Sequence, residues 1–167
     1  AFMVVLVYGI SFFRQRFFAS MGTASIVMLT AALLYTLGSL VCGRFVNRFG
    51  RKPLTVLTVL LSGIFTISFT CLPNLWLSLA LNFLAAWFFG MGASATSSLT
   101  LEQVPRFRGT MMSMHSAAIS LGSALGAALG GLALVLFDYE VLGIALGVLG
   151  VVASIVFQLL TTDPTRT

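Results

Sequence analysis

Charged residues are scarce in this chain, and acidic residues are the scarcest of them. Only 8% of the 167 residues are charged, and Asp and Glu together number four. A soluble domain carries about 25% charged residues, so this lack of charge, with 59% hydrophobic residues, argues against a water-exposed globular fold. Cysteine is also rare, and Cys42 and Cys71 lie in or beside apolar runs. They are predicted to be small buried hydrophobes, with no disulfide framework and no metal-ligand spacing.

Long apolar runs fill most of the chain and are separated by short polar connections. A run of about 20 apolar residues is long enough to cross a bilayer as a helix, and helices satisfy their own backbone groups there. The sequence therefore predicts an all-α integral membrane protein with about six transmembrane helices in a single bundle, and the first helix is predicted to be truncated. The predicted spans are residues 1–20, 23–45, 54–72, 75–98, 110–137 and 141–160.

The net charge of +5 comes from basic residues in the connections between these runs. Alternating spans place most of the nine Lys and Arg residues on one side, namely Arg44, Arg48, Arg51, Lys52, Arg106, Arg108 and Arg166. Short Lys- and Arg-rich loops remain on the cytoplasmic side of membranes. Membrane orientation thus explains the charge better than nucleic-acid binding. It predicts a cytoplasmic C-terminus in a bacterial-type plasma membrane, with the lipid bilayer as a partner.

The densest cluster of charge is the connection from Gly43 to Pro53, which lies between the second and third runs. We expect Gly43 to let the end of the second helix approach a neighbour closely. Gly50 is expected to adopt the positive φ of a sharp reversal. Pro53 suits the first turn of the next helix, where no backbone N–H is needed.

This cluster resembles the signature loop of the major facilitator superfamily, Gly-x-x-x-Asp-Arg-x-Gly-Arg-Lys, with Asn47 at the acidic position. The resemblance implies a cytoplasmic latch in which basic side chains reach Glu102 or the carbonyl ends of helices. Since Asn47 carries no charge, the latch is expected to be weaker than one with aspartate. The predicted latch residues are Gly43, Asn47, Arg48, Gly50, Arg51, Lys52, Glu102, Arg106 and Arg108.

A second pattern is a series of small residues four apart in the fifth run. Such spacing places them on one helix face, where a partner backbone can come close. The pattern resembles the fifth-helix motif of major facilitator antiporters, Gly-x-x-x-Gly-Pro-x-x-Gly-Gly, with Ala127 at the proline position. The alternative is a general packing stripe. The residues of this small-residue stripe are Ala118, Gly122, Gly126, Gly130 and Gly131.

Three departures from the family pattern indicate which half of such a transporter this chain represents. Asn47 and Ala127 replace the acidic residue and the proline, and Asn82 lies where the first half usually has an arginine. These departures favour the second half, helices seven to twelve, built as two inverted three-helix repeats. The implied partner is an N-terminal six-helix half.

The resemblance implies secondary active transport of a small-molecule substrate by alternating access, with efflux by proton antiport as the leading hypothesis. The alternatives are a sugar or organic-acid importer, or a membrane scaffold or sensor that transports nothing. An enzyme is not expected, since the sequence suggests no catalytic residue and no metal site. No cofactor is predicted; the energy source is expected to be a transmembrane ion gradient, with protons as the expected ion.

Polar and aromatic residues within the spans are the candidates for a substrate cavity: Tyr8, Phe12, Arg14, Asn82, Trp87 and His115. The acidic residues all lie at the ends of spans, so His115 is the one candidate here for proton coupling, and its alternative is a packed, hydrogen-bonded residue. Arg14 and Arg16 either reach the outer interface or face a watery cavity. The sequence leaves the substrate, the coupling ion and the direction of transport open.

Overall fold

The computed structural model describes residues 2–18, 20–103, 105–136 and 138–161, apart from the side chains of residues 2–7, 102, 103, 105 and 160. Within this part of the chain it contains six α-helices and a 3-10 turn. The helices are α1 (Phe2–Phe17), α2 (Met21–Phe49), α3 (Arg51–Cys71), α4 (Leu75–Gln103), α5 (Arg108–Leu136) and α6 (Tyr139–Leu160), and the turn is Pro105–Phe107. The predicted helical bundle is confirmed.

The helices run alternately up and down, so the bundle has two ends. One end carries the α2–α3 and α4–α5 connections and is called the basic-loop end. The other, called the Arg16 end, carries the α1–α2, α3–α4 and α5–α6 connections. Helices α2 to α6 are long and apolar enough to cross a membrane. Both α2 and α4 continue beyond their predicted spans, because polar residues at the basic-loop end remain helical.

Local signals in the sequence set the helix boundaries. The hydroxyl of Ser20 accepts a hydrogen bond from the Thr23 amide (3.2 Å) and caps the start of α2. Asn74 does the same for α4, since its Oδ1 accepts from the Trp76 amide (3.1 Å). A side-chain acceptor at these positions satisfies an N–H group that has no partner within the helix. Pro73 lies outside the helices, as the sequence predicted.

Glycines allow two helix pairs to pack with their backbones in contact. A Cβ on Gly38 of α2 would overlap the carbonyl of Trp87, and one on Gly90 of α4 would overlap the carbonyl of Tyr35. In the α3–α6 pair, a Cβ on Gly63 would lie 2.9 Å from the carbonyl oxygen of Gly147. Helices associate in membranes through such close packing, since lipid provides no hydrophobic force between them.

The face that α3 buries is lined with hydroxyl groups. Each of its buried Ser and Thr side chains donates a hydrogen bond of 2.7–3.1 Å to a carbonyl oxygen one turn earlier in α3. The hydroxyl groups are therefore satisfied without a partner from another helix. These residues are Thr55, Thr58, Ser62, Thr66 and Thr70.

Two apolar clusters form the core. The cluster at the Arg16 end contains Phe12, Phe13 and Phe69, and the cluster at the basic-loop end contains Cys42 and Met91. Cys42 is buried as predicted. The same prediction was wrong for Cys71, which is exposed because it is the last residue of α3.

Helix α5 is the least buried of the five helices that are long and apolar enough to cross a membrane. Gly130 is the only buried residue between its ends at 108 and 136, all of which the structure describes. Its outward face is a row of exposed leucines, among them Leu121, Leu125 and Leu129. Helix α2 has a similar exposed row that includes Leu29, Leu33 and Leu40.

Candidate functional site

The basic loop is a reversal of the chain at a single residue. Helix α2 ends at Phe49, Gly50 has a φ of 85°, and α3 begins at Arg51. The predicted positive φ of Gly50 is confirmed, and its amide donates to the carbonyl oxygen of Val46 (3.0 Å). The close approach expected at Gly43 is absent, because no described atom lies within 4 Å of a Cβ built there.

The latch residues around this reversal differ in their surroundings. Asn47 and Arg48 are exposed, and Arg48 lies over the ring of Phe49 at 5.7 Å from its centroid. Arg51 and Lys52 are half-buried. On the neighbouring connection, Arg106 and Arg108 are exposed. The side chain of Glu102 lies outside the described residues, so its expected contact with the basic loop stays a prediction.

The small-residue stripe of α5 is mostly open. Ala118 and Gly122 are exposed, and a Cβ on Gly122 would meet no atom within 4 Å. Gly126 is half-buried and Gly130 is buried. Within the described structure, only the part of the stripe near the Arg16 end is packed. A packing role for Ala118 and Gly122 requires a further partner.

A hydrogen bond joins α1 to this end of the stripe. The Tyr8 hydroxyl donates to the carbonyl oxygen of Ala127 (2.8 Å), the residue at the proline position of the motif. A Cβ on Gly131 would lie 3.1 Å from the same hydroxyl oxygen. The absence of a side chain at Gly131 thus lets Tyr8 reach the backbone of α5.

The six candidate cavity residues do not line one cavity in the described structure. Phe12 is 3% exposed and packs edge-to-face against Phe13, Phe69 and Tyr139. Tyr8 and Phe12 share a cavity of about 30 Å³. That volume fits about one water molecule, which is too small for an organic substrate.

Asn82 and Trp87 lie elsewhere, on α4. Asn82 is 2% exposed, and its Nδ2 has no hydrogen-bond partner among the described residues. Trp87 is half-buried and packs against the core cluster at the basic-loop end. Its carbonyl lies at the crossing with α2, so we assign the backbone of Trp87 to helix packing.

His115 joins α5 to α4. Its Nε2 lies 3.3 Å from Oγ of Ser97, and that hydroxyl also donates to the carbonyl oxygen of Ala93 (2.9 Å). Since serine has one hydroxyl proton, the geometry is satisfied when Nε2 of His115 carries a hydrogen and donates. The half-buried ring therefore links α5 to α4, with the donating tautomer assigned from the hydrogen bond that Ser97 makes to Ala93.

Two arginines at the end of α1 have different environments. Arg16 forms an ion pair with Glu140 of α6 at 2.5 Å. Arg14 has no ion-pair partner among the described residues, and it lines an open cavity of about 340 Å³ with Ser11, Gln15 and Phe18. Sequence reasoning singled out Arg14 but missed the other three, although the i, i+3 and i+4 spacing of Ser11, Arg14 and Gln15 places them on one face of α1. Phe18 follows directly after the end of the helix.

The Arg16–Glu140 ion pair is expected to stabilise the Arg16 end only slightly. Both side chains are well exposed, at 40% and 43%, so water and salt weaken their attraction. A double-mutant cycle with Arg16→Gln and Glu140→Gln should give a coupling energy of about 0.2–1 kcal/mol. The measurement is thermal unfolding in detergent at low and high salt. A coupling well above this range, or one unchanged by salt, would contradict the prediction.

Comparisons with known proteins agree with this architecture. A family profile described as Major Facilitator Superfamily matches residues 1–167. The 4-hydroxybenzoate transporter PcaK of Pseudomonas aeruginosa is 30% identical over 133 residues, which are 78% of this chain and 29% of that protein. The chain thus spans less than a third of the length of this relative. No solved structure matched the chain.

Proposed function

The chain belongs to the Major Facilitator Superfamily, and from this premise we propose that the full-length protein imports organic acids by alternating access. Membership makes the protein a membrane transporter rather than an enzyme. The observation that carries the choice of substrate is the similarity to a 4-hydroxybenzoate transporter. The cation of Arg14, without an ion-pair partner among the described residues, supports an anionic substrate.

Efflux by proton antiport is the second candidate function. The observation that favours it is the glycine pattern of α5, which resembles the antiporter motif apart from Ala127. Import with protons and export against protons require opposite gradients, so a single assay separates them.

We propose that six further helices complete the transport pathway. The exposed apolar faces of α2 and α5 support this partner, because a large apolar surface is covered by lipid or by protein. The glycine stripe of α5 would let that partner approach closely. In the same proposal the basic-loop end is cytoplasmic, the C-terminus lies on that side, and the membrane is a bacterial-type plasma membrane.

Reconstituted vesicles test the proposed function. Radiolabelled 4-hydroxybenzoate should accumulate in vesicles that hold the full-length protein when the outside is more acidic, and a protonophore should abolish this accumulation. Accumulation only when the inside is more acidic would support antiport instead. No movement under either gradient would contradict transport of this compound.

His115 is expected to hold α5 against α4 rather than to carry the coupled proton. A glutamine at this position keeps an N–H donor for Ser97, so His115→Gln should leave the pH profile of uptake unchanged. His115→Ala removes the donor and should lower the free energy of unfolding by about 1 kcal/mol. A pH profile that shifts in His115→Gln while stability is retained would assign the proton to His115.

A further inference from the structure

An open cavity at the end of α1 is lined by four residues of one segment of the chain, and three of them are polar. Its lining supplies a guanidinium group from Arg14, a hydroxyl from Ser11, an amide from Gln15 and an aromatic ring from Phe18. Ser11, Arg14 and Gln15 lie on the face of α1 opposite the buried Phe12 and Phe13, and Phe18 follows directly after the helix. Its volume of about 340 Å³ is within the range of ligand pockets, about 300–1,000 Å³.

The charge of Arg14 is available to a ligand. Arg16, two residues further along α1, has its charge balanced by Glu140, whereas Arg14 has no such partner among the described residues. A guanidinium group offers two parallel N–H donors that match the two oxygens of a carboxylate. Ser11 and Gln15 add further hydrogen-bonding groups beside it.

The backbone of Phe18 has an unusual conformation. Phe18 has a φ of 52°, the one positive φ among the described non-glycine residues, and its side chain is 93% exposed. The left-handed conformation ends α1, but glycine adopts it at lower conformational cost than phenylalanine. A strained, exposed aromatic residue beside a cation points to a binding role.

We propose that Ser11, Arg14, Gln15 and Phe18 form a recognition site for an aromatic carboxylate. Arg14 binds the carboxylate, Ser11 and Gln15 hydrogen-bond its oxygens, and Phe18 packs against the ring. The proposal rests on the proposed function, because it names the site at the Arg16 end where the imported acid first binds. In this site Arg14 selects ligands that carry a negative charge, and Phe18 selects ligands that contain an aromatic ring.

Uptake kinetics of the full-length protein test the site. Arg14→Gln should raise the KM for 4-hydroxybenzoate at least tenfold with a smaller change in kcat, and Arg14→Lys should have an intermediate effect. Arg44→Gln is the matched control, since it removes the same charge from an exposed position at the basic-loop end; its KM should change less than twofold. An unchanged KM in Arg14→Gln would overturn the proposal.

The role of Phe18 has its own prediction. Phe18→Ala should raise the KM for 4-hydroxybenzoate at least threefold while Phe18→Tyr leaves it unchanged. The neutral analogue 4-hydroxybenzamide should not compete for uptake. Equal KM values in Phe18→Ala and the unaltered protein would remove Phe18 from the site.

A lipid phosphate is the competing ligand for an arginine near a membrane interface. The kinetics are therefore compared in vesicles with phosphatidylglycerol and in vesicles of phosphatidylcholine alone. The proposal predicts the same rise in KM for Arg14→Gln in both. An effect confined to the vesicles with anionic lipid would assign Arg14 to the headgroup and overturn the carboxylate site.

A labelling experiment tests binding independently of transport. In a Cys71→Ser background, Gln15→Cys places a thiol in the cavity, and benzoate should slow its reaction with a maleimide at least threefold. Adding Arg14→Gln should remove this protection. Protection without 4-hydroxybenzoate uptake would leave the site standing and reject the proposed function, whereas no protection would reject the site even if uptake occurs.

Discussion

Replacing Gly90 with alanine is expected to lower the free energy of unfolding by about 3 kcal/mol, the upper part of the range for overpacked cores. The new methyl group would overlap the carbonyl of Tyr35, and the facing Gly38 is confined in the same way by the carbonyl of Trp87. A backbone carbonyl in a helix cannot rotate aside as a side chain does. The two helices must therefore separate, which removes contacts along the α2–α4 interface.

Thermal unfolding of the detergent-solubilised protein measures this effect, and Gly43→Ala is the matched control. Like Gly90, Gly43 lies within a helix, but a Cβ there would meet no atom within 4 Å. Alanine is favoured over glycine inside a helix by about 0.5–1 kcal/mol, so Gly43→Ala should be stabilising or neutral. Similar destabilisation in both variants would show that helix packing does not explain the effect.

Gly63→Ala is expected to destabilise the α3–α6 pair by about 2 kcal/mol, within the 1–3 kcal/mol that overpacking typically costs. The added Cβ would lie 2.9 Å from the carbonyl oxygen of Gly147 and 3.3 Å from the amide nitrogen of Val151. Both neighbours are backbone atoms, so relief requires movement of α6. The expected effect is smaller than for Gly90→Ala because the overlap is less severe.

The same unfolding assay tests this second prediction, with Gly109→Ala as the control. Gly109 is a helical glycine of α5 with no atom within 4 Å of a Cβ, so the identical substitution should change stability by less than 1 kcal/mol. A Gly63→Ala variant as stable as the control would contradict the packing of α3 on α6 described above.

The sequence predicted the bundle well but did not reveal which glycines pack within it. Apolar runs and polar connections are local features, so the helices and the reversal at Gly50 follow from the order of residues. The regular spacing in α5 drew attention to Gly122, which contacts nothing within 4 Å, whereas Gly38 and Gly90 lie at a crossing. The positions at which two helices cross depend on the angle between them. The spacing of residues along one helix does not reveal that angle.

In the candidate site, too, the local features were predictable from the sequence and the contact between distant helices was not. Arg14 became a candidate because placing a charge in a membrane is costly. Its grouping with Ser11 and Gln15 could have been found from helical spacing along α1. The position of Phe18 could not, because that residue lies beyond the end of α1 with a φ of 52°. The pairing of Arg16 with Glu140 could not, because the two residues lie 124 positions apart and meet only through the arrangement of α1 and α6.

The hydroxyl groups of α3 have a consequence for how the protein is made. Because each one bonds to a carbonyl of its own helix, α3 can leave the translocon and enter lipid as a single segment with these groups already satisfied. Asn82 of α4 has no such arrangement for its Nδ2 among the described residues. Helix α3 is thus suited to early insertion. Helix α4 has a polar amide to bury, so its insertion is favoured more by a neighbouring helix that is already in the bilayer.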